Sequence, residues 1–127
     1  KAYDDGNSQL KQSAIYAMGQ SSNEKWLSIV IRDTQDPDPA IRYEAVGACG
    51  NLGNDDTSPH IVALLNDEDS LVQIASAQAL GVIGGSLAKR ALEQCLLTGD
   101  DVLEEAAKAA LKNLEFDEDP LGLSYEA

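Results

Sequence analysis

Three acidic turns carry the residue types that bind hard cations: Asp36-Pro37-Asp38, Asp67 to Asp69, and Asp100-Asp101. Carboxylate oxygens at such turns are the ligands calcium uses, but a calcium loop of the EF-hand kind also needs alternating oxygens, a glycine midway and a closing glutamate. None of the three turns supplies that set. A different reading accounts for more of the residues. Asn7, Asp38, Asp69 and Asp100 are spaced by 31, each three residues before the first apolar residue of a helical pattern. Asn and Asp are preferred at helix N-caps, where a side-chain oxygen accepts orphan backbone N–H groups, and Pro39 suits a first helical position. The turns are therefore expected to be caps, and no metal is expected.

The remaining chemistry-bearing residues are few. His60 is the lone histidine, with apolar residues, Ile29 and Ala91, at the equivalent places 31 residues away. No nucleophile motif accompanies it. Gly84-Gly85-Ser86 lacks the lysine and preceding strand of a phosphate loop and reads as a turn. Cys49 and Cys95 have no metal-ligand spacing and are expected to be reduced core residues. No catalytic residue, metal or cofactor is expected from these residues.

The elements that position these side chains follow from one period. LKQSAIYAMGQSS from Leu10, IRYEAVGACGNLG from Ile41, VQIASAQALGVIG from Val72 and LEEAAKAALKNLE from Leu103 align without gaps at a spacing of 31. Apolar and small residues recur at offsets 0, 4, 7 and 8, the stripe of an amphipathic helix. Gly19, Gly50 and Gly81 share the next offset. A glycine inside a helix costs about 1 kcal/mol relative to alanine, so its recurrence implies a close helix contact. Gly53 and Gly84, with Ser22 in the first unit, mark helix ends.

A second apolar helix follows in each unit, from Glu24, Thr57 and Ser86. Its core slots are Val30, Ile61 and Leu92, then Leu64 with Cys95, then Leu65 with Leu96. The first unit carries Asp33 and Thr34 at the last two slots, so its second helix is expected to end early or tilt outward. Neither helix of a unit buries its stripe alone, so the units must stack. The expected fold is all-α: a right-handed α-solenoid of stacked antiparallel helix hairpins, a HEAT/armadillo-like superhelix. Its units are 7–37, 38–68, 69–99 and a partial 100–114, with an acidic tail at 115–127.

The repeated pattern, an apolar residue and Arg, then Ala, Ala-Leu-Gly and Ile-Gly, resembles the short HEAT-like repeats of the phycobilisome-lyase type. Residues 41–53 and 72–84 carry it best, with the Asp-Pro-Asp-Pro lead-in. Ankyrin and tetratricopeptide signatures are absent. The Arg of that pattern is replaced by Lys11, Gln73 and Glu104 in the other units, which puts a continuous Asp–Arg ladder in doubt. The resemblance implies a possible bilin lyase role, as an accessory or catalytic subunit acting on a phycobiliprotein chromophore.

Bulk properties bound the function. The 127 residues are 43% hydrophobic with only 5% aromatic, and the formal charge is −13. Such acidity argues against nucleic acid and anionic membrane surfaces as partners, and no apolar run is long enough for a membrane span. With no signal peptide, a cytoplasmic protein is expected. The first choice is a non-catalytic protein-interaction scaffold that presents a concave helical surface to another protein. Candidate binding residues on the second helices are Trp26, Ser28, Arg32, His60, Arg90 and Gln94. Trp26 is either an interface anchor or a core residue filling the first groove. In the tail, Phe116, Leu121 and Leu123 either cap the last repeat, the favoured reading, or dock on another protein. Because the chain opens on Lys1, and Tyr3 falls at the register of Leu65 and Leu96, further repeats upstream are expected.

Overall fold

A computed structural model describes residues 8–118, with side-chain surroundings for residues 8–115. Among the described residues there are seven α-helices and no strand. They are α1 (Ser8–Gln20), α2 (Leu27–Asp33), α3 (Pro39–Leu52), α4 (Ser58–Ala63), α5 (Ser70–Ile83), α6 (Ser86–Cys95) and α7 (Asp101–Glu118). Short 3-10 turns lead into α2 and α4 and extend α4 to Asn66. The first helices α1, α3, α5 and α7 stack in sequence as one layer. The shorter α2, α4 and α6 pack beside them as the second. The all-helical repeat architecture is as expected from the period.

Capping explains where the helices start. The Asp38 carboxylate accepts from Ala40 N–H at 2.9 Å, that of Asp69 from Leu71 and Val72 at 2.9 and 3.2 Å, and that of Asp100 from Val102 and Leu103, both at 3.1 Å. The acidic turns are thus occupied by backbone donors. Asn7 lies outside the described residues. Gly53 closes α3 in the left-handed conformation, φ +68°, and Ser22 follows α1 at φ +57°.

The shared glycine register sets the spacing of the first layer. A Cβ built on Gly19 would lie 2.8 Å from Ala48 Cα, and one on Gly81 would lie 2.8 Å from Ala110 Cβ and 3.0 Å from its Cα. No real side chain fits at such distances, so glycine lets successive helices approach until backbone meets methyl. Around this seam the core is continuous, from Ile15 and Val30 through Ile41, Ile61, Val72 and Leu80 to Leu92, Leu103 and Leu114. Cys49 and Cys95 are buried and unpaired within it.

Three details differ from expectation. Leu10, at the slot where Ile41 and Val72 are buried, is 68% exposed, because α1 has no described helix on that side. Asp33 and Thr34 do occupy core slots: both are buried, Asp33 near the Lys11 ammonium at 3.9 Å and Thr34 donating to the Ile31 carbonyl at 2.6 Å. Helix α7 continues to Glu118, four residues beyond the expected boundary. Phe116 side-chain contacts, Leu121, Leu123 and Tyr3 lie outside the described side chains.

As expected, no continuous Asp–Arg ladder runs through the described units: ion pairs form at two of its three steps, and only one of them uses Arg. The Lys11 ammonium donates to the Asp36 carboxylate at 2.6 Å. The Arg42 guanidinium grips Asp67 with two bonds, at 2.8 and 2.9 Å, and donates to the Asp36 and Pro37 carbonyls at 2.9 and 3.0 Å. The spacing is 25 residues in both pairs. One step on, Gln73 and Thr98 stand at the equivalent places, and the Gln73 amide donates instead to the Leu65 carbonyl at 2.9 Å. Asp36, Asp67 and Thr98 also each accept from the N–H of the following cap residue, at 2.8, 2.9 and 3.2 Å. Burial works against the ionised form of Asp67, yet the hydrogen bonds from Arg42 and Asp69 outweigh it and hold its carboxyl below the usual range. The same balance, with Lys11 as partner, holds Asp36 low.

A candidate binding groove on the first helices

Surface hollows lie on the outer face of the first-helix layer, where neighbouring helices diverge above the glycine seam. One, of about 350 Å³, is lined by Gln12, Asp38, Tyr43, Glu44, Asp69 and Leu71. A second, of about 400 Å³, lies among Tyr16, Tyr43, Glu44, Gly47, Gln78 and Val82. A third, beside α1, is bounded by Gln12, Ser13, Tyr16 and Glu44. Glu44 borders all three, so they adjoin at its carboxylate and are treated together as a groove.

The repeat accounts for the shape. Tyr16, Gly47 and Gln78 share one register. A Cβ at Gly47 would meet nothing within 4 Å, so glycine there leaves the floor open. Tyr16 and Tyr43 stand at the sides, 58% and 46% exposed. At the register of Glu44 the other units carry Ser13, Ala75 and Ala106, so the fold does not require an acid there.

Glu44 is half-buried and makes no hydrogen bond or ion pair with any described residue. Burial alone pushes its carboxyl above the usual glutamate range. No lysine or arginine lines any of the three hollows. Asp38 and Asp69 add acidic groups at the rim but are engaged as caps. A half-buried carboxylate without a partner among the described residues, in a hollow that Tyr16 and Tyr43 also line, suits a cation. The ion pair supplies charge and the rings supply cation–π contact.

The six residues expected to bind a partner lie elsewhere, and none lines these hollows. Trp26 precedes α2 and is half-buried, with the Lys25 ammonium 4.9 Å from its ring centroid. Its register is fully buried in the next two units, at Thr57 and Ala88. Ser28 and Arg32 are exposed on α2, and the Arg32 guanidinium reaches Asp33 at 3.2 Å. His60 is half-buried on α4, while Arg90 and Gln94 are exposed on α6. By register Ser28 is equivalent to Arg90 and Arg32 to Gln94. The sequence reading does not single out Tyr16, Tyr43 or Glu44. The available signal was two tyrosines on first helices of a chain so poor in aromatics, one of them next to an acid the repeat does not need.

Among the described residues, no three His, Cys, Asp or Glu side chains converge in a way that would hold a metal ion. No helix there is long and apolar enough to cross a membrane.

Two curated relatives are similar to this chain, and both are named deoxyhypusine hydroxylase. The one from Drosophila melanogaster is 32% identical over 87 residues, 65% of this chain and 27% of the relative. The one from Neurospora crassa is 25% identical over 112 residues, 85% of this chain and 35% of the relative. The chain thus spans about a quarter to a third of their length. These names correct the expectation of a non-catalytic interaction scaffold, and that of a bilin lyase with it: the relatives are enzymes of a different kind. Composition and repeat pattern missed this because a solenoid carries the same core period whatever its surface does. The model for HEAT repeats matches residues 1–64 and again 34–112, nearly the whole of the array, and the chain belongs to the HEAT-repeat family.

Proposed function

We propose that this chain is the substrate-recognising stretch of an enzyme of the deoxyhypusine hydroxylase kind, and that it binds a lysine-derived side chain carrying amines. The similarity to the Drosophila relative carries the reading. Deoxyhypusine is a lysine side chain lengthened by an aminobutyl group, so it presents a secondary and a primary amine, both cationic at neutral pH. A chain of formal charge −13, with a groove free of Lys and Arg around Glu44, suits such a ligand.

Oxygen-activating chemistry does not fit the described residues. A non-haem iron site of the two-histidine, one-carboxylate type needs two imidazoles, and His60 is the lone histidine of the chain. The buried thiols do not substitute, because desolvation raises both, Cys49 to about 12. No reaction step is therefore assigned to these repeats; their part is to bind and orient the amine-bearing side chain. In this reading the array is a right-handed superhelix of the 31-residue, phycobilisome-lyase-like subtype, supported by the gapless period. Further repeats belong to the same enzyme. Two unpaired cysteines support a cytoplasmic setting.

The test is calorimetric titration with a deoxyhypusine-bearing polypeptide and with its unmodified lysine counterpart. Tighter binding of the former is expected, without gain of an oxygen atom by mass spectrometry. Equal binding of the two refutes substrate recognition, and oxygen insertion by this chain alone refutes the division of labour.

A further inference from the structure

We propose that the groove centred on Glu44 is an alkylammonium-binding site, with the Glu44 carboxylate as the counter-ion, Tyr16 and Tyr43 as flanking rings, and the floor at Gly47 as the place for the alkyl chain. The choice of an amine deepens the reading above and rests on it. The site itself rests on geometry.

Four features converge. Glu44 has no partner among the described residues, although the paired acids Asp36 and Asp67 show that this fold readily supplies one. Three hollows share Glu44 as a lining residue, so a ligand bound to it has room in either direction along the helices. Each of those hollows lacks a competing cation, and the rim carries Asp38 and Asp69. Apolar and aromatic side chains, Tyr43, Leu71 and Val82, exposed at 46%, 63% and 60%, respectively, line the two hollows over α3 and α5 beside polar Gln12, Asn51 and Gln78. No three acidic side chains converge to hold a metal ion among the described residues, and Asp38 and Asp69 are engaged as caps, whereas an alkylammonium uses the Glu44 carboxylate, the ring faces and the apolar wall together. Neutral apolar ligands would leave the Glu44 carboxylate desolvated and unpaired.

The experiment is amide chemical-shift mapping with n-butylammonium chloride, using 1-butanol and sodium chloride as matched probes. The expected result is saturable shifts clustered at Tyr16, Tyr43, Glu44, Gly47 and Gln78 with the amine, and none with butanol or salt. Glu44→Gln should keep the fold, since Gln has the same size and Glu44 has no hydrogen bond or ion pair with a described residue, and weaken amine binding by roughly fivefold to tenfold. Tyr43→Leu should weaken it by about threefold. The thermal midpoint of each variant confirms folding. Shifts spread over the acidic surface, or the same affinity in Glu44→Gln, would overturn the site, and so would equal binding of butanol. Saturable amine binding at Glu44 combined with no preference for the deoxyhypusine-bearing polypeptide would uphold the site while removing the enzyme reading.

Discussion

Replacing Gly81 with alanine adds one methyl group to one of the closest helix contacts in the array, and replacing Gly47 adds the same group to open space. Both positions are helix interiors, in α5 and α3. The intrinsic gain from Gly to Ala is the same at each, about 1 kcal/mol. At Gly47 nothing lies within 4 Å of the new Cβ, so that gain should appear undiminished. At Gly81 the methyl would sit 2.8 Å from Ala110 Cβ and 3.0 Å from its Cα. Carbon atoms pack best at about 3.5–4.0 Å, so α5 and α7 must separate by roughly half an ångström or more. Overpacking of this kind costs about 1–3 kcal/mol. The propensity gain cancels from the comparison, and Gly81→Ala should be less stable than Gly47→Ala by about 1–3 kcal/mol. Gly50→Ala, with its Cβ 3.3 Å from that of Ala79, should fall between them. Urea unfolding followed by circular dichroism measures all three, with unchanged slope as the check that one transition is being compared. Trimming the neighbour in Gly81→Ala/Ala110→Gly should recover part of the loss, which separates contact from propensity. Equal stability of Gly47→Ala and Gly81→Ala would refute the claim that the glycine register is a packing requirement.

Other consequences can be tested alongside. Arg42→Met leaves Asp67 buried without its partner and should cost about 3–5 kcal/mol by urea unfolding, while Arg42→Met/Asp67→Leu should recover most of it; no recovery would mean that the loss lies in the carbonyl bonds of Arg42. Asp36 and Asp67 are held below their unfolded values. Their stabilisation is therefore fully present above roughly pH 4 and lost as pH falls through the folded values. A pH series of melting temperatures should show a steeper acid limb for the wild type than for Asp67→Asn. Desolvation raises the Cys49 thiol to about 12, so an aromatic disulfide reagent at mild alkaline pH should label it only on unfolding; fast labelling of the native protein would contradict its burial. Asp69→Ala removes the bonds to Leu71 and Val72 and should cost about 1 kcal/mol, and calcium should leave the melting temperature of both proteins unchanged.

What the sequence revealed, and what it hid, divides along physical lines. The caps and the glycine seam were legible because they are periodic: Asp38, Asp69 and Asp100 repeat the same local bond, and Gly19, Gly50 and Gly81 meet the same alanine slot one unit on. The ladder was harder to see. Its pairs lie 25 residues apart and depend on how the linker folds back, and one uses a lysine ammonium where the other uses a guanidinium. Asp33 looked wrong for a core slot because a period of residue types does not show that Lys11 reaches it. Leu10 looked buried because the pattern cannot say which face of an end helix is covered. Helix α7 outran its expected boundary since no breaker intervenes before Pro120, and proline disfavours helix only at itself and the residue before it. The groove was least legible of all. Tyr16, Tyr43 and Glu44 sit at registers where the repeat imposes nothing, so no period marks them. They become a group only when α1, α3 and α5 lie side by side.

Hydrogen exchange with and without a deoxyhypusine-bearing polypeptide tests the central claim most directly, because the two layers of the solenoid are read separately. Binding at the Glu44 groove should slow exchange along α1 and α3, around Tyr16, Tyr43 and Gly47, and leave α2, α4 and α6 unchanged. Protection confined to the second helices, around Trp26, His60 and Arg90, would contradict it, as would no protection at saturating polypeptide.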